Sequence, residues 1–143
     1  RCRERMEQPT PRIALGMALR GVASAAADVS DGLLGDLGHI LQQSRVGAQV
    51  HVTACEDLLA CRHELPLSEA WRRTCTLSGG DDYELVFTAA PASRAAVAQA
   101  ARSSQTPVTR IGVITAKTDL ELLDAQGQCV TTPFDSFDHF GKA

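Results

Sequence analysis

The stretch Asp28-Val29-Ser30-Asp31-Gly32-Leu33 decides how the rest of the chain is organised. Small apolar residues precede it, and apolar side chains follow it at helical spacing. This pattern predicts a buried strand over residues 22–28 and, after a turn, an amphipathic helix over residues 31–44. Ser30 is the expected N-cap of that helix, and Asp31 is expected in its first turn.

The polar residues of this turn are compatible with two roles. Asp and Ser at the start of a helix commonly cap its free N–H groups. A strand end followed by a helix N-terminus is also a common place for a protein to hold an anion or a metal-bound phosphate. Asp28, Ser30 and Asp31 supply two carboxylates and a hydroxyl there. Both roles stay open on these residues alone.

Three glycines, Gly32, Gly35 and Gly38, recur at every third position of the predicted helix. Each glycine destabilises a helix interior by about 1 kcal/mol relative to alanine. We therefore expect the backbone of this helix to approach another element or a ligand closely.

The rest of the chain alternates predicted helices and strands. The predicted helices cover residues 12–20, a short segment with a capping box at Thr53, a segment capped by Ser68 that carries Trp71, and an alanine-rich segment over 91–103. The predicted strands cover residues 46–52, 83–88 and 108–114, and a hairpin joins 120–123 to 129–131. Tyr83, Leu85 and Phe87 are expected on one face of their strand. This order predicts an α/β fold with a mixed sheet and helices packed on it.

Composition and charge narrow the class of protein. The chain has 143 residues, 44% of them hydrophobic, and a net charge of −3, which suits one domain with a real core. Residues 1–10 are polar, so we expect a linker there and a domain over 11–143, cut from a longer protein. Mild acidity without a basic block argues against a nucleic-acid partner. No apolar run could span a bilayer and no signal peptide is visible, so we expect a cytoplasmic protein with no membrane partner.

The five cysteines do not form a recognisable metal or disulfide pattern. They lie at positions 2, 55, 61, 75 and 129, and none belongs to a Cys-x-x-Cys pair. An odd number at this spacing argues against a disulfide framework and a ribbon-type zinc site. Reduced thiols in a cytoplasmic protein are the expected state.

Two later segments also carry candidate ligand-binding residues. The loop Ser78-Gly79-Gly80-Asp81-Asp82 is either an ordinary turn or a carboxylate cluster for a cation at the edge of a sheet. Phe134, Phe137 and Phe140 recur at every third position near the end of the chain. Their rings either dock on the domain or stack on a flat ligand.

Four motifs together resemble one family. Residues 27–33 (Ala-Asp-Val-Ser-Asp-Gly-Leu), 36–40 (Asp-Leu-Gly-His-Ile), 78–85 (Ser-Gly-Gly-Asp-Asp-Tyr-Glu-Leu) and 137–140 (Phe-Asp-His-Phe) are similar to the C-terminal half of thiamine-monophosphate kinase. This family belongs to the superfamily of aminoimidazole ribonucleotide synthetase. The last two motifs make the resemblance specific, because the Ser-Asp-Gly-Leu motif suits several members of the superfamily.

The resemblance implies the fold of the superfamily's C-terminal domain and a phosphotransfer reaction. The enzyme would use ATP and magnesium to phosphorylate thiamine monophosphate to thiamine diphosphate. The C-terminal half would contribute no catalytic side chain. By resemblance, Asp28 and Asp31 are magnesium ligands, Ser30 contacts ATP, and Asp81 and Phe137 contact the thiamine substrate. The family often has Glu at the position of Asp81.

The resemblance also implies that an N-terminal half supplies most magnesium ligands, much of the ATP site and a homodimer interface. The present chain alone is then expected to be inactive. Two alternatives stay open: another ATP-dependent member of the superfamily, of the hydrogenase maturation or selenophosphate synthetase type, and a non-catalytic α/β interaction domain.

Overall fold

The computed structural model describes residues 7–30, 32–59, 66–79 and 83–130. Within these ranges the helices are α1 (Ile13–Ala18), α2 (Leu33–Ser44), α3 (Val52–Glu56), α4 (Glu69–Leu77) and α5 (Arg94–Ser103), with a 3₁₀ turn at Pro91–Ser93. The strands are β1 (Ala23–Val29), β2 (Gly47–His51), β3 (Glu84–Ala89), β4 (Gly112–Thr115) and β5 (Leu120–Leu123).

In these ranges the strands form two sheets. β1 pairs antiparallel with β3. β2 lies between β4, which is antiparallel to it, and β5, which is parallel. The predicted α/β class with a mixed sheet and packed helices is therefore confirmed, and the mixed pairing lies in the sheet around β2.

The sheet of β1 and β3 has a hydrophobic cluster on each face. Side chains alternate along β1, so every second residue points to the same face. One face packs against α2, in a cluster that includes Val29, Leu33, Leu37, Ile40, Leu41 and Val86. The other face packs against α1 and α5, in a cluster that includes Leu15, Leu19, Leu85, Phe87 and Ala100. On β1 itself the face opposite α2 stays open, because Ser24, Ala26 and Asp28 are exposed, so the prediction of a buried strand is confirmed only for the face toward α2.

The start of α2 differs from the prediction. The helix begins at Leu33, and Gly32 is the N-cap residue, with no hydrogen bond from a capping side chain. The prediction that Ser30 is the N-cap is therefore wrong. The reason is that Gly32 has a φ of 97°, which residues with a side chain avoid, so the chain turns there and the helix starts after it.

The ends of other helices and strands also differ from the prediction, because tertiary packing overrides the local sequence signals. α3 begins at Val52 directly after β2, without a side-chain cap, so the capping box predicted at Thr53 does not form. Burial of Val52 in the main cluster accounts for the earlier start. β4 is shorter than the strand predicted over 108–114, because its pairing with β2 spans only four residues. Helix α1 is likewise shorter than the predicted 12–20.

Several local predictions are confirmed. Ser68 caps α4, and its hydroxyl accepts the N–H of Trp71 at 3.3 Å. Trp71 itself is 63% exposed. The turn after β5 brings Cys129 beside Leu123 in an antiparallel bridge, as the predicted hairpin requires. None of the helices in the described ranges has the length and apolar character needed to cross a membrane.

Candidate active site

A cavity of about 350 Å³ lies where α1 begins, β1 ends and β3 begins. Its polar lining includes Arg12, Asp28, Ser30, Tyr83 and Glu84. The side chains come from three segments that are distant in the sequence, and the antiparallel pairing of β1 with β3 brings two of them together. The lining residues therefore include two acids, an arginine and two residues with hydroxyl groups, together with apolar residues such as Ile13, Val29 and Leu85.

Asp28 and Ser30 meet at this cavity, as a shared ligand site requires. Asp28 is the second-last residue of β1 and pairs with Leu85 of β3. Ser30 follows the strand directly, and both residues are exposed. Asp28 and Ser30 thus both line the cavity and are open to solvent. The capping role considered for Ser30 is excluded by the position of the helix start.

The backbone of Ser30 is held by a residue that the sequence analysis did not single out. The N–H of Ser30 donates to Oδ2 of Asp36 at 2.8 Å, and Asp36 is only 6% exposed. Asp36 lies in the first turn of α2, on the face shared by Leu33 and Leu37. A signal was present, because an acidic residue at helical spacing within an apolar stripe is expected to have a partner.

Gly32 lies close to the backbone of another segment, as the glycine pattern predicts. A Cβ atom on Gly32 would lie 3.0 Å from the backbone of Ser78, the residue that ends α4. The same prediction is wrong for Gly38, since a Cβ atom there would meet nothing within 4 Å. A close approach is therefore found at Gly32, before the first turn of α2, and not at Gly38.

Arg12 and Glu84 form a bidentate ion pair in the wall of the cavity. Nε of Arg12 donates to Oε2 of Glu84 at 2.9 Å, and Nη2 donates to Oε1 at 2.7 Å. The hydrogen bond to Glu84 raises the pKa of Arg12, so the guanidinium stays cationic. The pair joins the start of α1 to the start of β3. Sequence reasoning missed it because 72 positions separate the two residues and neither has a diagnostic pattern.

Tyr83 lies outside β3 and does not continue its face. It has a φ of 52° and is exposed, whereas Leu85 and Phe87 pack together as predicted. The expectation of three side chains on one face is therefore wrong for Tyr83. Tyr83 instead lines the cavity.

The other predicted site residues, Asp31, Asp81 and Phe137, lie outside the described residues, as do Asp82, Phe134 and Phe140. Among the residues that the structure does describe, no group of three or more His, Cys, Asp and Glu side chains could hold a metal ion. Asp28 and Ser30 are thus the two predicted site residues that the structure brings together.

The sequence and the fold match a known family. The sequence model of the family "AIR synthase related protein, C-terminal domain" matches residues 3–125, and the chain belongs to this family. Within it, the chain is similar to thiamine-monophosphate kinase of Salmonella typhimurium strain LT2, with 43% identity over 139 residues. The alignment covers 96% of this chain and 42% of the relative, so the chain spans less than half the length of that protein.

Solved structures agree with this relationship. The crystal structure of thiamine-monophosphate kinase from Stenotrophomonas maltophilia K279a aligns with a TM-score of 0.74 and 45% identity, covering 90% of this chain and 39% of that one. AaThiL complexed with AMPPCP and TMP aligns with a TM-score of 0.59 and 25% identity, covering 90% and 38%. The resemblance to thiamine-monophosphate kinase is confirmed.

Proposed function

We propose that this chain is the C-terminal part of a kinase that uses ATP to phosphorylate thiamine monophosphate to thiamine diphosphate. The observation that carries the proposal is the placement of Asp28 and Ser30 on one cavity at the end of β1. The 43% identity to a thiamine-monophosphate kinase and the likeness to a complex with AMPPCP and TMP support the same reaction.

Asp28 and Asp31 are proposed as magnesium ligands. Magnesium prefers hard oxygen ligands and usually takes one or two carboxylates together with substrate phosphates. Asp28 is exposed and lines the cavity, and a carboxylate there fits this donor set. When bound, the ion would neutralise negative charge on the phosphate groups.

The remaining proposed roles concern the two substrates. Ser30 lines the same cavity as Asp28 and would contact ATP through its hydroxyl. Asp81 and Phe137 would contact thiamine monophosphate, whose flat cationic ring suits an acidic and an aromatic partner. No covalent nucleophile is required, because phosphoryl transfer depends mainly on positioning and charge neutralisation.

The proposed organisation of the whole protein follows from the partial coverage of its relatives. Residues 1–10 would be a linker and 11–143 the C-terminal domain. A preceding half would supply further magnesium ligands, much of the ATP site and the interface of a homodimer. We propose that the full protein is cytoplasmic and that the 143-residue chain alone folds without turning over substrate.

The test is an assay of the full-length protein with ATP, magnesium and thiamine monophosphate, in which thiamine diphosphate is separated and quantified. We expect diphosphate to form only when all three are present. ATP consumption that does not depend on thiamine monophosphate would favour another ATP-dependent member of the superfamily. A protein that neither binds nor consumes ATP would favour the non-catalytic alternative.

A further inference from the structure

The loop between β1 and α2 is held from two sides. On one side, the N–H of Ser30 donates to the carboxylate of Asp36 in α2. On the other, Gly32 lies against the backbone of Ser78 at the end of α4. Ser30 and Gly32, two residues that follow Asp28, are therefore each in contact with a different helix.

The Asp36 carboxylate occupies a place that packing alone would give to an apolar side chain. Asp36 is buried on the core-facing side of α2, between the buried residues Leu33 and Leu37. Burial of a carboxylate is unfavourable unless hydrogen bonds compensate for the lost water. The 2.8 Å hydrogen bond from the Ser30 N–H provides such compensation, and it links the buried carboxylate to the residue that follows β1.

Asp36 acts on the cavity indirectly. Asp36 is not among the described residues that line the cavity. Its carboxylate instead fixes the peptide that joins Val29 to Ser30, and so fixes where the Ser30 side chain leaves the backbone. A group that sets the direction of a ligand-binding side chain can change the rate strongly without touching the ligand.

We propose that Asp36 is a positioning residue, whose buried carboxylate holds the loop after β1 so that Asp28 and Ser30 together receive a magnesium–nucleotide complex. This inference rests on the proposed function. Loss of the acceptor would let the loop move, and both side chains would lose their common alignment. Binding of nucleotide and of magnesium would then weaken together.

The test compares three variants of the full-length protein. Asp36→Ala and Asp36→Leu remove the acceptor, and the leucine variant also replaces the buried volume with an apolar side chain. Asp36→Asn keeps an oxygen that can accept the Ser30 N–H. Asp124→Asn is the matched control, because Asp124 also accepts backbone N–H bonds, from Gln126 and Gln128, in the turn after β5.

The measurements are kcat, the Michaelis constant for ATP and the half-saturating magnesium concentration, at a temperature where circular dichroism shows each variant folded. In the two variants without an acceptor, we expect the Michaelis constant for ATP and the half-saturating magnesium concentration each to rise about tenfold, because a small misplacement of binding groups has an effect of this size. Asp36→Asn is expected to stay within about twofold of the wild type, because the neutral hydrogen bond survives. The control is expected to match the wild type.

A purely structural role would reduce the active fraction, which lowers the apparent kcat and leaves both constants unchanged; that result would overturn the proposal. The same conclusion follows if neither variant without an acceptor folds while Asp36→Asn does. If the wild type shows no turnover with thiamine monophosphate, the proposed reaction is wrong, and calorimetric binding of magnesium–ATP to the same variants decides the role of Asp36. Absence of that binding in the wild type would overturn both proposals.

Discussion

Replacement of Gly32 by alanine tests the turn that separates β1 from α2. Gly32 has φ and ψ of 97° and 149°, a region that is almost restricted to glycine. Forcing a residue with a side chain into it costs about 1–3 kcal/mol. The added Cβ atom would also lie 3.0 Å from the backbone of Ser78, which cannot move like a side chain. We expect Gly32→Ala to lower the free energy of unfolding by about 2–4 kcal/mol.

The matched control is Gly38→Ala in the same helix. Gly38 has no positive φ, and a Cβ atom there would meet nothing within 4 Å. Alanine is favoured over glycine inside a helix by about 0.5–1 kcal/mol, so this change should stabilise the protein. Urea unfolding of the 143-residue chain measures both effects. Equal effects of the same sign, or an unaltered stability for Gly32→Ala, would show that the turn before α2 does not require glycine.

Three further changes test other contacts. Arg12→Ala is expected to lose no more than about 1 kcal/mol of stability, because the ion pair with Glu84 is partly exposed, and the loss should shrink at high salt; a loss that salt does not alter would point to packing instead. Burial raises the pKa of Cys55 from 9.0 to about 12, so unfolding releases a proton above pH 9 and stability should fall by about 1.4 kcal/mol for each pH unit between 9 and 12. Thermal unfolding measured from pH 9 to pH 12 should show that stability falls less steeply with pH in Cys55→Ala than in Cys129→Ala. Identical dependence on pH in the two variants would contradict the raised pKa of Cys55. Phe137→Ala in the full-length protein is expected to raise the Michaelis constant for thiamine monophosphate several-fold, for a stacking contact of about 1 kcal/mol, with little change in melting temperature; a large loss of stability with an unchanged constant would place the ring in the core.

The order of helices and strands could be predicted because it depends on local patterns. A run of small apolar residues placed β1, and apolar residues at helical spacing placed α2, each to within two residues of the observed bounds. The N-cap could not be placed, because Ser30 and Gly32 both suit the start of a helix by composition. The backbone conformation of Gly32 decides between them, and Gly32 also lies close to the backbone of Ser78.

The candidate site was predictable where its residues are adjacent in sequence and not where they are distant. Asp28 and Ser30 belong to one motif, and the structure places them on one cavity. Arg12 and Glu84 come together only through the packing of α1 beside β3. Asp36 was visible as an acidic residue in an apolar stripe, yet its partner is a backbone N–H that no sequence pattern specifies.

The most direct test of the proposed kinase is the magnesium dependence of thiamine diphosphate formation by the full-length protein and its Asp28→Asn variant. The amide keeps the size of the side chain and loses the charge that would hold the ion, so the variant should need more magnesium to reach half of its maximal rate. High magnesium should restore part of the lost activity if only affinity for the ion is reduced. Identical rates and identical magnesium dependence, measured at limiting magnesium, would contradict the account.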